Sequence, residues 1–202
     1  MTRVIIVRHG QTEWNRVERF RGRADLRLNE TGYVQASLVA RRLAAAETLA
    51  ALYSSPLLRA MQTAAPIAKA CGVTTRPLDG LIDIDYGEWQ GLTPEEVAAR
   101  YPALYRRWEE SPQLVAIPGG ESLAAVRARA EAALRRAVAE HEGGTVALVT
   151  HKVVCKLLVC AALGIPDDHF WQIEQDNGAL DVVEFGNGRP VLKLCNDTCH
   201  LA

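Results

Sequence analysis

The chain has 202 residues, 49% of them hydrophobic, and its 23 Lys and Arg nearly balance 24 Asp and Glu to give a formal net charge of −1. That length suits one domain that buries a sizeable apolar core without staples. The balanced charge excludes a global field drawing the protein to nucleic acid or to an anionic membrane, so any positive site is local. The five cysteines (Cys71, Cys155, Cys160, Cys195, Cys199) are odd in number, lack the Cys-x-x-Cys spacing of zinc sites and mostly sit in apolar runs, so they read as buried reduced thiols. Met1 to Gly10 holds too short an apolar run for a signal peptide, and nowhere do about eighteen apolar residues follow one another, so the expected location is the cytoplasm.

In chain order, the β-branched run Arg3 to Val7 predicts a buried strand that ends at Arg8-His9-Gly10, with a loop extending past Asp25. A helix is expected from about Thr31 to Ala45, with Leu38, Val39 and Leu43 on its apolar stripe. LAALYSSP reads as a second strand stopped by Ser55-Pro56, followed by the helical LLRAMQTAAPIAKA. Thr93, Pro94 and the glutamates after them form a capping box, and Pro118-Gly119-Gly120 breaks the chain before a long helix from about Ser122 to Glu140. TVALVT is another buried strand, running into His151 and the helical KVVCKLLVCAALG. Two late strands, ALDVVEF and PVLKLC, flank a turn at Gly186-Asn187-Gly188 and offer an edge at which a second copy could form a homodimer.

Strands alternating with helices imply a three-layer α/β/α sandwich with a mainly parallel central sheet, where ligands gather at the carboxyl ends of the strands. Arg8 and His9 follow one strand, Arg59 follows a second and His151 a third. Two arginines and two histidines at one sheet edge make an anion site, since the guanidinium fork matches phosphate oxygens, and helices starting nearby would add N–H groups and positive dipole ends. A neutral imidazole can attack phosphorus if its second nitrogen donates a hydrogen bond that fixes the tautomer. A general acid for the leaving oxygen is available in LIDIDYGEWQG, where Asp83, Asp85 and Glu88 cluster near a glycine turn.

VRHGQTEWN (7–15), SSPLLRAMQTA (54–64), GGES (119–122) and VTH (149–151), in that order and spacing, resemble the signatures of the histidine phosphatase superfamily, the phosphoglycerate mutase-like family. The resemblance spans nearly the whole chain and implies a single domain over 1–202, with an inserted helical segment at about 93–140 covering the site. It implies a metal-independent phosphatase with no cofactor, acting on a small phosphorylated metabolite through a phosphohistidine. By the same resemblance His9 is the nucleophile, Arg8, Arg59 and His151 hold the phosphate, Asn15 is a further pocket contact, and Asp83 occupies the acid position. Gly22, in the loop from Phe20 to Asp25, and Lys152 are assigned to substrate binding. The family usually carries Glu at position 83 and a small glycine at 152, and this chain departs from it at both. LIDIDYGEWQG, GGESL, the stretch from DHFW to DNGAL and the ending LKLCNDTCHL look most like bacterial metal-independent phosphoserine phosphatases, while other relatives act on α-ribazole phosphate, phosphoglycerate derivatives or sugar phosphates.

Two rivals stand beside this expectation. Asp83-Ile84-Asp85 would suit a magnesium-dependent haloacid dehalogenase-like phosphatase, but Pro77, Asp79 and Gly80 precede it where an apolar strand is needed. A non-catalytic phosphate-binding regulatory protein would keep the pocket without turnover. Asp85 rivals Asp83 as the acid, and one or two of Tyr86, Trp89, Trp108 and Trp171 are expected to touch ligand while the rest serve the core.

Overall fold

In the computed structural model, which describes residues 1–186 and 188–202, six strands form one sheet in the order β3-β2-β4-β1-β5-β6. These are β1 (Thr2–Arg8), β2 (Leu49–Ser54), β3 (Thr75–Pro77), β4 (Thr145–Thr150), β5 (Leu180–Phe185) and β6 (Val191–Asp197). β1, β2, β3 and β4 run parallel, and β5 and β6 close one side antiparallel. The turn expected between the last two strands includes Asn187, which lies outside the described residues.

The central strands are apolar on both faces because helices cover both, as parallel sheets require. Helices α2 (Glu30–Ala46) and α3 (Leu58–Cys71) cover one side, where Ile5, Val7, Val39, Leu43, Leu52 and Ile67 share a core. On the other side α6 (Leu123–Glu140) and α7 (Lys152–Leu163) bury Val126, Leu134, Val154 and Leu157 against Val4, Ile6 and Leu148. This is the expected three-layer α/β/α sandwich. Pro66 lies inside α3 without ending it.

The expected covering segment at 93–140 divides in the structure. Helices α4 (Pro94–Arg100) and α5 (Pro102–Glu110) stand beside the carboxyl edge of the sheet, whereas α6 belongs to the sandwich layer because its apolar face packs on α7 and the sheet. Thr93 caps α4, accepting from the amide of Glu96 whose carboxylate returns to the Thr93 amide. One helix, α1 (Glu13–Arg16), is short enough that its sequence gave no periodic signal.

The aromatic wall beside the site depends on a close backbone approach. Gly87 has φ +46°, and a Cβ there would lie 2.1 Å from the carbonyl oxygen of Pro118, whereas Gly72, with φ +68°, has nothing within 4 Å. Gly72→Ala is therefore expected to cost about 1 kcal/mol for the left-handed backbone alone, and Gly87→Ala about 3 kcal/mol or more through the added clash. Equal midpoints for the two variants in urea denaturation would contradict that close approach.

Candidate active site

At the carboxyl edge of β1, β2 and β4 the chain delivers Arg8, His9, Ser55, Arg59 and His151 to one buried cluster. The rings of His9 and His151 lie 5.1 Å apart between centroids. His9 is held from both sides. Its amide donates to Thr150 O at 2.9 Å, its carbonyl accepts from Asn177 Nδ2 at 3.0 Å, and Nδ1 pairs with Gly10 O at 2.7 Å. Because a carbonyl can only accept, Nδ1 carries the hydrogen and Nε2 keeps its lone pair. Arg59 Nε donates into that lone pair at 3.3 Å.

Arg59 is fully buried and bonded all round, with Nη1 donating to Ala24 O at 2.8 Å and Nη2 to Gly22 O at 2.7 Å and to Asp83 Oδ2 at 3.0 Å. Asp83 Oδ2 also lies 3.7 Å from His151 Nδ1, and Oδ1 accepts the Ile84 amide at 3.0 Å. Asp83 is thus inside the cluster. Its rival Asp85 is turned away, with Oδ1 accepting the Gly87 amide and Oδ2 facing Arg23 at 3.5 Å.

Ser55 Oγ accepts from the Leu57 amide at 3.3 Å and lies 2.7 Å from His151 Nε2. Donation by this hydroxyl to Nε2 puts the imidazole hydrogen on Nδ1, which has no hydrogen-bond partner among the described residues. Arg8 Nη1 donates to Gln175 O, and its buried Nε is likewise unpartnered among the described residues. Burial, and then the charge of Arg21, pull Arg8 down to about 9, so it stays cationic at neutral pH.

The other expected site residues separate. Lys152 and Asn15 line a cavity of about 560 Å³ in front of the cluster. Asn15 uses Oδ1 for the amide of Thr12 at 2.9 Å and its hydroxyl at 2.8 Å, a capping box that fixes α1. Gly22 is buried with φ +49°, and its carbonyl serves Arg59. Tyr86, Trp108 and Trp171 border the cavity, while Trp89 is core. Of the helix ends expected to face the pocket, that of α3 is occupied, since Asp25 Oδ1 accepts the Leu58 amide at 2.8 Å. The start of α7 carries no side-chain cap and leaves its positive end at His151.

Several residues that place the cluster gave no signal in the sequence. Arg129 clamps the Asp83 segment through Gly80 O, Ile82 O and Asp83 O while pairing with Glu121, whose Oε2 also accepts the Asp85 amide at 2.9 Å. Glu121 is therefore a tie between segments. Asp181 Oδ1 accepts from Gln175 Nε2 at 2.6 Å and so steadies the carbonyl that holds Arg8. The cysteines are all free, with Cys155 and Cys160 buried as expected but Cys195 exposed on the edge strand β6 and Cys199 exposed just beyond it. Among the described residues no group of three or more His, Cys, Asp or Glu is arranged for a metal ion, and no helix is long and apolar enough to cross a membrane.

Residues 4–198 match the family model described as "Histidine phosphatase superfamily (branch 1)". The chain belongs to that superfamily. It is 41% identical over 201 residues to "Phosphoserine phosphatase 1" of Hydrogenobacter thermophilus, covering 100% of this chain and 95% of that protein. It is 37% identical over 211 residues to "Metal-independent phosphoserine phosphatase" of Arabidopsis thaliana, covering 100% of this chain and 84% of the relative. Among solved structures, Bacillus stearothermophilus YhfR superposes with a TM-score of 0.94 at 32% identity, over 100% of both chains. As a histidine phosphatase with these relatives, the chain is a small-molecule phosphatase of phosphoglycerate mutase-like fold.

For a histidine phosphatase the protonation state of the cluster matters most. Burial first, then Arg59 and Arg8, hold His9 well below the ordinary histidine value. Burial first, then Arg59 and His9, do the same to His151. Burial raises Asp83 against the opposing pull of Arg59 and Arg21. The unfolded histidines take up protons as pH falls below about 6.5 while the folded ones do not, so the stability they confer is full above that pH and is lost as pH falls toward their folded values. Asp83 acts in the opposite sense, its contribution being lost as pH rises through its folded value. Unfolding free energy should therefore fall by up to about 2.7 kcal/mol per pH unit below pH 6, and by about half that in His9→Asn. A denaturation series showing no pH dependence between pH 7 and pH 5 would contradict two buried neutral imidazoles.

Proposed function

We propose that the protein hydrolyses small phosphomonoesters, phosphoserine foremost, by passing the phosphoryl group through His9 without a metal or other cofactor. The observation that carries this reading is the uncharged His9 imidazole, with Nδ1–H fixed on Gly10 O and the Nε2 lone pair aimed at Arg59. Arg8, Arg59 and His151 Nδ1–H receive the phosphoryl oxygens, assisted by the open end of α7 and, at the rim, by Asn15. The preference for phosphoserine is supported by the names of the relatives and by the sequence segments shared with them.

In the first step Nε2 of His9 bonds to phosphorus as the ester P–O bond breaks, and Asp83 gives its proton to the departing oxygen. In the second step carboxylate Asp83 takes a proton from water, whose oxygen displaces His9. Asp83 is paired with Arg59 before substrate arrives. A phosphoryl dianion drawing Arg59 away leaves Asp83 buried, without its counterion and beside new negative charge, and both changes favour the protonated acid that the first step needs. Substrate binding thereby arms the acid. This offsets the shorter reach and lower intrinsic pKa of Asp relative to the family's usual Glu.

Pro94, Tyr105, Trp108 and Glu109 of α4 and α5 border the cavity, which supports these two helices as the cover of a single domain spanning the chain. Five free thiols suit the reducing cytoplasm. The open edge of β6, with Val191 and Leu194 exposed, is where a second copy would pair.

Rapid quenching during turnover, with chelator present, should trap acid-labile, base-stable phosphate on His9. Asp83→Asn should lower kcat/KM, which reads the first step alone, by about 100-fold or more for phosphoserine but by far less for p-nitrophenyl phosphate, whose leaving group needs no proton. An absolute magnesium requirement, or equal losses on both substrates, would overturn the assignment.

A further inference from the structure

Positive charge around the cavity exceeds what one phosphoryl group uses. Three cations line it, namely Arg19, Arg21 and Lys152. Arg19 is satisfied structurally, donating to Gly91 O and pairing with Glu96 at 3.2 Å. Arg21 and Lys152 differ: among the described residues neither has a carboxylate within 4.0 Å. Arg21 is only half exposed, and its guanidinium meets backbone carbonyls alone, Arg19 O at 3.1 Å and Trp14 O at 3.5 Å, both through Nη1. Nε and Nη2, one edge of its fork, are left without a protein partner among the described residues. Lys152 heads α7 directly after His151 and lines the cavity.

Both charges line the same cavity, whose wall also includes Asp83. Burial and then the fields of Arg8 and Arg21 lower Lys152, and Arg21 likewise bears on Arg8, His9, Arg59, Asp83 and His151. The carboxylates nearby do not cancel them. Glu109 is engaged by the hydroxyl of Tyr105, Asp83 is taken by Arg59, and Glu18 lies in the wall without touching either cation. Asp176 and Glu174 pull Lys152 upward, yet less strongly than Arg8 and Arg21 push it down. Unpaired cations crowded into a half-buried site repel one another, and an anion placed between them relieves that repulsion. The phosphoryl group already has Arg8, Arg59 and His151.

We propose that Arg21 and Lys152 form a second anion subsite that selects phosphomonoesters whose leaving group carries its own carboxylate or second phosphoryl group. The proposal rests on the phosphatase reading above and adds to it the residues that discriminate among substrates. The guanidinium edge of Arg21 offers two parallel donors to such a group, and Lys152 supplies a mobile point charge. The aromatic wall of Phe20, Tyr86, Trp108 and Phe170 takes the carbon skeleton between the two anions. At each of the two positions a neutral side chain would remove the preference.

The test compares matched esters. Phosphoserine and phosphoethanolamine differ only by the carboxylate, and a sugar bisphosphate and its monophosphate differ only by the second phosphoryl group. In the wild type, kcat/KM is expected to favour the more anionic member of at least one pair, and the pair identifies which anion is read. Arg21→Gln should shrink that ratio by about tenfold or more, Lys152→Gln by somewhat less, and Arg21→Lys should restore part of it by returning the charge. The same pairs are titrated calorimetrically into His9→Ala, which binds without forming phosphohistidine, so the subsite is read independently of catalysis. Ratios that do not move in Arg21→Gln, or equal affinity for both members of every pair, overturn the subsite even where metal-free turnover persists. Absence of turnover of every ester by the wild type, with the affinity ratios intact, overturns the phosphatase reading and leaves the subsite standing.

Discussion

Everything at the site depends on burying one guanidinium. Arg59 comes from the first turn of α3, is wholly removed from solvent and divides its donors among His9, Asp83 and the carbonyls of Gly22 and Ala24. A buried cation costs several kcal/mol unless partners surround it, and breaking such a set is costlier than never having built it. The loop from Phe20 to Asp25 is therefore pinned to α3, and the Asp83 segment to both. Burial, and then the same charge, keep His9 and His151 unprotonated, so the cation proposed to bind phosphate also keeps the proposed nucleophile neutral.

The site divides into a polar floor and an aromatic vestibule. The proposed chemistry belongs to the floor, where the Gly10 carbonyl fixes the His9 tautomer and Asp83 sits between a cation and a ring. The vestibule belongs to α4, α5 and the segment holding Phe170 and Trp171, packed through Trp108. Substitutions in the vestibule can therefore change substrate choice without disturbing the reacting groups.

Much of this was legible in the residue order. Apolar runs such as RVIIV and TVALVT are buried on both faces, so their character survives any tertiary context, and the residues that end them must emerge at one sheet edge. That places Arg8, His9 and His151, and Arg59 just after LAALYSSP, near one sheet edge without knowledge of their partners. The long-range ties were not legible. Arg129 reaches back across more than forty residues to Asp83, Asp25 takes the helix end expected to face phosphate, and Asp181 supports Arg8 through Gln175, each a pairing set by packing and not by spacing. Arg21 escaped notice for a related reason. An arginine in a polar loop reads as solvated until the structure shows that none of the described acids comes to meet it.

The central claim is that His9 keeps Nε2 unprotonated at the pH of catalysis because burial and two arginines oppose its protonation. Nitrogen NMR on histidine-labelled protein measures this directly in the absence of substrate, with His9→Asn used to assign the signal. At about pH 6, where an exposed imidazole would be largely charged, His9 should show one protonated and one bare ring nitrogen, with the bare one lost on phosphorylation. A cationic His9 ring at that pH, with hydrogen on both nitrogens, would contradict the account.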